Sequence, residues 1–186
     1  MADTVRVIEI VSPEVYLLRE RASSRRHEFV NGVVYAMSGA ADRHNRVAGN
    51  LFAALGSHLP DRCVPYMADM KLRIRLQRSE FYYYPDSMVC CGPSDQSLDW
   101  RDNPLLVGEV LSPSTERVDR TEKFNAYIQI PTLQEYILVE QSMPRVELFR
   151  RDNGWEREVL LAGDTLRLPS IDFVIAVDAL YRRVEV

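Results

Sequence analysis

Apolar and polar residues alternate most strictly in KLRIRLQ (residues 71–77), which puts Lys71, Arg73 and Arg75 on one side of a strand and Leu72, Ile74 and Leu76 on the other. The pattern predicts a strand with one wet face. Upstream, EFVNGVVYAM contains two β-prone runs on either side of Asn31-Gly32, a pair suited to a type I′ turn because both positions take positive φ. Helical recurrence of Val47, Leu51, Ala54 and Leu55 predicts a helix from Asp42, its candidate N-cap, to about His58. YYYPDSMVCC reads as a strand entered through Pro85, GPSDQSLDWRDNP as a loop, and LLVGEVL as a buried strand. Asp119 and Glu122, spaced as in a capping box, predict a helix that holds Lys123 in its first turn and ends before Pro131. EYILVE is a further strand, and VELFRRDNGWEREVLL a hairpin turning at Asn153-Gly154. This mixed order of hairpins, strands and helices implies an α/β (α+β) domain with a central sheet flanked by helices.

Length and composition agree with one domain over residues 1–186: 46% of the residues are hydrophobic and 27% charged, enough for a sizeable core. No run of about 18 apolar residues is present to cross a membrane, and the opening MADTVRVIEI lacks the basic flank and apolar core of a secretory signal. A cytoplasmic protein is expected. Three cysteines, Cys63, Cys90 and Cys91, show neither a disulfide framework nor zinc-ligand spacing, and are expected to be reduced core thiols. The net charge of −4 is unevenly spread. Residues 19–78 hold eleven Lys/Arg against five Asp/Glu, and residues 79–186 eleven against nineteen. A basic face can meet phosphate despite an acidic total, although a solvated surface explains the same charges.

The polar residues within the apolar pattern carry the chemistry. Asp86 begins one β-run and Glu109 interrupts the next; a carboxylate removed from water has to be paired, hydrogen-bonded or metal-bound. If those strands are neighbours, the two acids converge as hard oxygen ligands suited to Mg²⁺ or Mn²⁺ rather than zinc. Lys123, on the following helix, would orient a water or offset developing charge. Glu109 and Lys123 fit a structural ion pair equally well, and Asp86 after Pro85 fits a plain strand opening.

YPDSMVC followed by LLVGEVLSPSTERVDRTEKFNAYIQIPTLQEYILVE resembles the family of small bacterial proteins called "putative restriction endonuclease" (Uma-type), assigned to the PD-(D/E)XK nuclease superfamily. HEFVNGVVYAMS with His44 downstream is similar to the family's opening hairpin and helix, and LRLPSIDFVIAVDALY to its closing segment. The resemblance implies a restriction-endonuclease-like core with terminal β-hairpins, and a metal-dependent endonuclease acting on DNA. It makes Asp86 and Glu109 the metal-binding acids, and these with the backbone carbonyl of Val110 are expected to hold Mg²⁺ or Mn²⁺. The superfamily's lysine, two positions after the acid, is Leu111 here; Lys123 is the replacement the resemblance suggests, with Asp119 one turn earlier to orient it. Glu28 is a possible third acid, with pairing to Arg25 or Arg26 as its structural alternative, and His44 is a further possible site residue. Arg43, Arg46, Lys71, Arg73 and Arg75 are the candidates for a duplex backbone, and a homodimer would present two sites to opposite strands. The competing expectation is a non-catalytic module of the same fold, in a mobile-element or defence system.

Overall fold

The computed structural model describes residues 10–92 and 97–185; part of the loop expected near residue 95 and the start of the N-terminal stretch lie outside them. The described residues open with α1 (Pro13–Ala22), a helix that the apolar pattern does not reveal but the polar one does. Ser12 accepts from the Val15 amide at 3.3 Å and Pro13 takes the first turn, where its missing N–H costs nothing. β1 (His27–Val30) and β2 (Val33–Ala36) form the expected hairpin, with Asn31 and Gly32 at φ 47° and 98°. α2 (Asp42–His58) has the expected span. Ala41, not Asp42, holds its cap position, and Asp42 instead pairs with Arg46 at 2.7 Å.

Six strands follow: β3 (Cys63–Met67), β4 (Lys71–Leu76), β5 (Ser79–Tyr83), β6 (Ser87–Cys91), β7 (Trp100–Arg101) and β8 (Pro104–Leu111). YYYPDSMVCC is therefore two strands. Pro85 has no N–H for a ladder, and the chain breaks there, leaving β5 in one sheet and β6 in another. After β8 come α3 (Glu116–Val118), a π-helical turn over Asp119–Lys123, and α4 (Phe124–Tyr127). This helical run begins at Glu116, so Asp119 is not its cap and Lys123 is not in its first turn. β9 (Glu135–Glu140), β10 (Arg145–Arg150), β11 (Arg157–Leu161), β12 (Thr165–Leu168) and β13 (Phe173–Ala176) complete the strands.

β11-β10-β9-β8-β6-β3 form a six-stranded mixed sheet, in which β8 and β9 run parallel and the helical run makes their crossover. β2-β1-β5-β4-β7 form a second sheet of five strands, and β12-β13 a terminal hairpin. Val47, Leu51 and Leu55 of α2 pack with Val110, Ile137 and Val139 on one face of the six-stranded sheet. Ala126 and Tyr127 pack with Val107, Leu111 and Leu138 on the other. Cover on both faces explains why β8 and β9 read as near-continuous apolar runs, with Glu109 the interruption within β8.

Three further expectations are corrected. The wet face of β4 is partly closed: Lys71 is buried, with its ammonium over the Tyr84 ring at 5.3 Å. The β10–β11 connection spans residues 151–156, with positive φ at Gly154 and Trp155 rather than at Asn153, whose side chain bonds across the turn to Glu156. Cys63 and Cys91 are joined, because the antiparallel register of β3 and β6 sets them opposite each other at a Cα separation of 4.0 Å. Their distance in sequence hides that pairing, and a reducing compartment would hold both as thiols. No helix among the described residues is long and apolar enough to cross a membrane.

Gly108 sets how closely α2 approaches β8. A β-carbon there would lie 3.1 Å from Ile137 Cγ1 and 3.2 Å from Leu51 Cδ2. Gly108→Val is expected to destabilise by about 1–3 kcal/mol through overpacking, read as a lower urea midpoint at unchanged slope; an unchanged midpoint would contradict the tight approach.

Candidate active site

Ser87 pairs with Gly108, so Asp86, one residue before β6, stands beside Glu109 on β8. The strand partner has run out at this point, and side chains take over its hydrogen bonds. The Val110 amide donates to Asp86 Oδ2 at 2.7 Å, and the Asp86 amide donates to Glu109 Oε2 at 3.3 Å. The other Asp86 oxygen lies 2.9 Å from His44 Nε2, which comes from the first turn of α2. Asp86, Glu109 and His44 are thus brought together across three elements, with both carboxylates on the wall of one cleft.

Lys123 closes the arrangement from the opposite side. Its Nζ lies 3.1 Å from Glu28 Oε1, 3.2 Å from Glu109 Oε1 and 3.2 Å from Asp119 Oδ1. Asp119, Lys123 and Tyr127 recur every four residues; Asp119 meets the Lys123 ammonium, and Lys123 and the Tyr127 hydroxyl, which donates at 2.7 Å, share Glu109 Oε1. Sequence reasoning missed Tyr127 as a site residue. Its spacing from Lys123 was the available signal, since residues four apart share a helix face. Glu28 does not pair with Arg25 or Arg26. It meets Lys123 and the Tyr84 amide, the latter at 3.2 Å, while Arg26 pairs with Asp69 at 3.2 Å.

Three carboxylates therefore surround one ammonium, with Asp86 beside Glu109, in a site where Glu109, Asp119 and Lys123 are almost wholly buried. Burial pushes the Glu109 carboxyl well above the usual range; Lys123 opposes this, and the charges of Asp119, Asp86 and Glu28 reinforce it. Burial likewise raises Asp119 against the pull of Lys123. For Lys123 burial acts downward, but Glu109, Glu28 and Asp119 outweigh it and the ammonium is held well above its ordinary value. Burial also disfavours the charged His44 ring, yet the hydrogen bond to Asp86 and its charge prevail and the imidazole is raised. Asp119 Oδ1 sits near Nζ but accepts no hydrogen bond from the described residues. No three His, Cys, Asp or Glu side chains among the described residues stand close enough to hold an ion by themselves.

The cleft over these groups encloses about 750 Å³, with Arg25, Arg26, Tyr84 and Gln141 farther along its walls. Of the five basic residues expected at a nucleic acid, most are already engaged. Lys71 is buried, Arg73 pairs with Asp102 over the Trp100 ring, Arg75 lies 3.5 Å from Glu80, and Arg46 is held by Asp42. Arg43 is exposed on α2 beside His44.

The Uma2 family model, described as "Putative restriction endonuclease", matches residues 7–178. The uncharacterized protein slr1290 of Synechocystis sp. is 37% identical over 175 residues, covering 92% of each chain. A second Synechocystis protein, the uncharacterized sll1609, is 37% identical over 157 residues, covering 81% of this chain and 88% of its own. Among solved structures, the crystal structure of "a putative nuclease" from Anabaena variabilis superposes with a TM-score of 0.72 over 88% of this chain and 93% of that one. At 15% identity that likeness establishes a shared fold, a mixed sheet flanked by helices.

The raised Glu109 carboxyl gives the cation-free site a pH signature. The folded chain holds that proton more tightly than the unfolded one, so its contribution to stability is complete below 4.5, the group's ordinary value, and is lost as pH climbs through the raised value. Asp119 acts in the same direction from 3.8, whereas the Lys123 contribution persists until pH passes its own value above 10.5. Between weakly acid and neutral pH, the wild-type melting temperature should therefore fall more steeply than that of Glu109→Gln. Parallel slopes in the two melts would contradict the burial of an ionisable Glu109.

Proposed function

The chain belongs to the Uma2 family, and from the way its site is built we propose that it is an endonuclease hydrolysing DNA phosphodiester bonds with Mg²⁺ or Mn²⁺. The observation that carries this reading is the gathering of acids: Glu28, Asp86, Glu109 and Asp119 converge on one buried lysine, with His44 bonded to Asp86. A hard divalent cation fits the Asp86–Glu109 pair, because Mg²⁺ is commonly bound through one or two carboxylates and keeps several waters. Asp86 and Glu109 would hold it. The Val110 carbonyl is the third candidate, since in an extended strand a residue's C=O points to the same side as its N–H, and the Val110 N–H meets Asp86. When bound, such a cation offsets phosphate charge and acidifies water.

The remaining groups position and stabilise. His44 and the Val110 amide each fix one oxygen of Asp86, and Tyr127 and the Asp86 amide each fix one of Glu109. Water attacks phosphorus in line with the leaving oxygen. Lys123, held between Glu28 and Asp119, orients that water or offsets the charge that grows on the phosphoryl oxygens. Arg43 and Arg25, both exposed near the cleft, are suited to backbone phosphates, and a homodimer would address both strands of a duplex. The second reading, a module of this fold that does not cut, draws on the same contacts: an ammonium held by three carboxylates is also a structural ion cluster.

Plasmid nicking with Mg²⁺ or Mn²⁺ separates the two readings. Wild type should cut and Glu109→Ala should not, while Lys123→Ala should lower turnover by about a hundredfold or more with metal binding kept. If Lys123 is purely structural, its loss instead removes about 3–5 kcal/mol of stability by stranding Glu109, and cutting at low temperature persists. Metal linkage is a separate check: Mn²⁺ should raise the melting temperature of wild type but not of Asp86→Asn. An unshifted wild type would favour the module that does not cut.

A further inference from the structure

Lys123 and Asp119 line a second cavity, of about 460 Å³, whose wall includes neither Asp86, Glu109 nor His44. It shares Met37, Ser38, Ser114 and Thr115 with the larger cleft, so the two openings meet on either side of the same ammonium. Across the β1–β2 ladder Tyr35 is the partner of Glu28, which places its side chain beside the acid that holds Lys123. Among the described residues β2 is the edge of its sheet, and Tyr35 is 51% exposed with no ring contact. Val30, Ala36 and Val118 add apolar wall. Glu122 adds a carboxylate, one of whose oxygens accepts from the Tyr83 hydroxyl at 3.1 Å while the other accepts nothing from the described residues.

We infer that this second cavity takes a single nucleobase, drawn out of its stack beside the phosphate in the cleft; the inference rests on the nuclease reading. The volume lies within the range of small-ligand pockets, roughly 300–1,000 Å³, and a stacked duplex cannot enter it. An exposed aromatic ring next to apolar wall replaces the stacking that a displaced base loses. Carboxylates at the rim accept from exocyclic amino groups, as they do from cytosine N4. Bases carrying such a group are therefore preferred over thymine. Because Lys123 belongs to both walls, a base in this cavity is next to the phosphate that the ammonium serves.

The probe is 2-aminopurine deoxyriboside monophosphate, whose emission falls when its base stacks on an aromatic ring, titrated in EDTA so that no cation contributes. Saturable quenching is expected in wild type and Tyr35→Phe, with Tyr35→Ala binding about tenfold more weakly. Asp86→Asn, which alters the metal cleft alone, should bind as wild type does. Absence of saturable quenching, equal binding by Tyr35→Ala, or a loss in Asp86→Asn as large as in Tyr35→Ala would each overturn the inference. Base binding by a wild type that never nicks DNA would sink the nuclease reading while leaving the pocket in place.

Discussion

A buried ammonium shared by carboxylates is the constraint on which the rest of this structure depends. Glu109 sits in a strand covered on both faces, where an unpaired charge is costly to hold, and Lys123 is the group that makes its burial tolerable. Holding Lys123 there requires Glu28 from the second sheet and Asp119 from the helical run. Those contacts in turn require the hairpin to lie against the crossover helix, and the helix to widen into a π-helical turn. The fold's least regular features, the break at Pro85 and the widened turn, both lie where chain is bent to serve this cluster.

Over-supply of negative charge separates the cluster from an ordinary structural ion pair. A single Glu–Lys pair would satisfy the core; Glu28 and Asp119 add charge around the same ammonium, and Asp86 adds a carboxylate whose basic partner is His44. Burial and the neighbouring acids accordingly raise the Glu109 carboxyl above its ordinary value, against the pull of Lys123. Competition between a proton and a metal for one carboxylate makes cation affinity pH-dependent.

Much of this was legible in the residues. Glu109 announced itself as a charge in an apolar run, the hairpin by Asn31-Gly32, and α2 by its periodicity. Other features were hidden because they depend on long-range register. Cys63 and Cys91 meet only once β3 and β6 are paired, and Glu28 finds Lys123 only once two sheets are docked. The wet face of β4 was misread because alternation shows which residues share a side and not what covers them; Tyr84 closes over Lys71. The start of the helical run was misplaced because Asp119 and Glu122 imitate a cap, whereas burial decides their roles: Asp119 faces inward and Glu122 outward. α1 lacks an apolar stripe, and only Ser12-Pro13 mark it.

Residues 84–86 carry the chain from one sheet to the other, and their backbone amides divide the acids between them. The Tyr84 amide holds Glu28, Pro85 has none to offer, and the Asp86 amide holds Glu109. The cluster is stitched across the seam between two sheets by residues far apart in sequence. For folding kinetics this means that the Glu28–Lys123 pairing waits on the docking of the two sheets, and the loop between these two residues has to close before that pairing is gained.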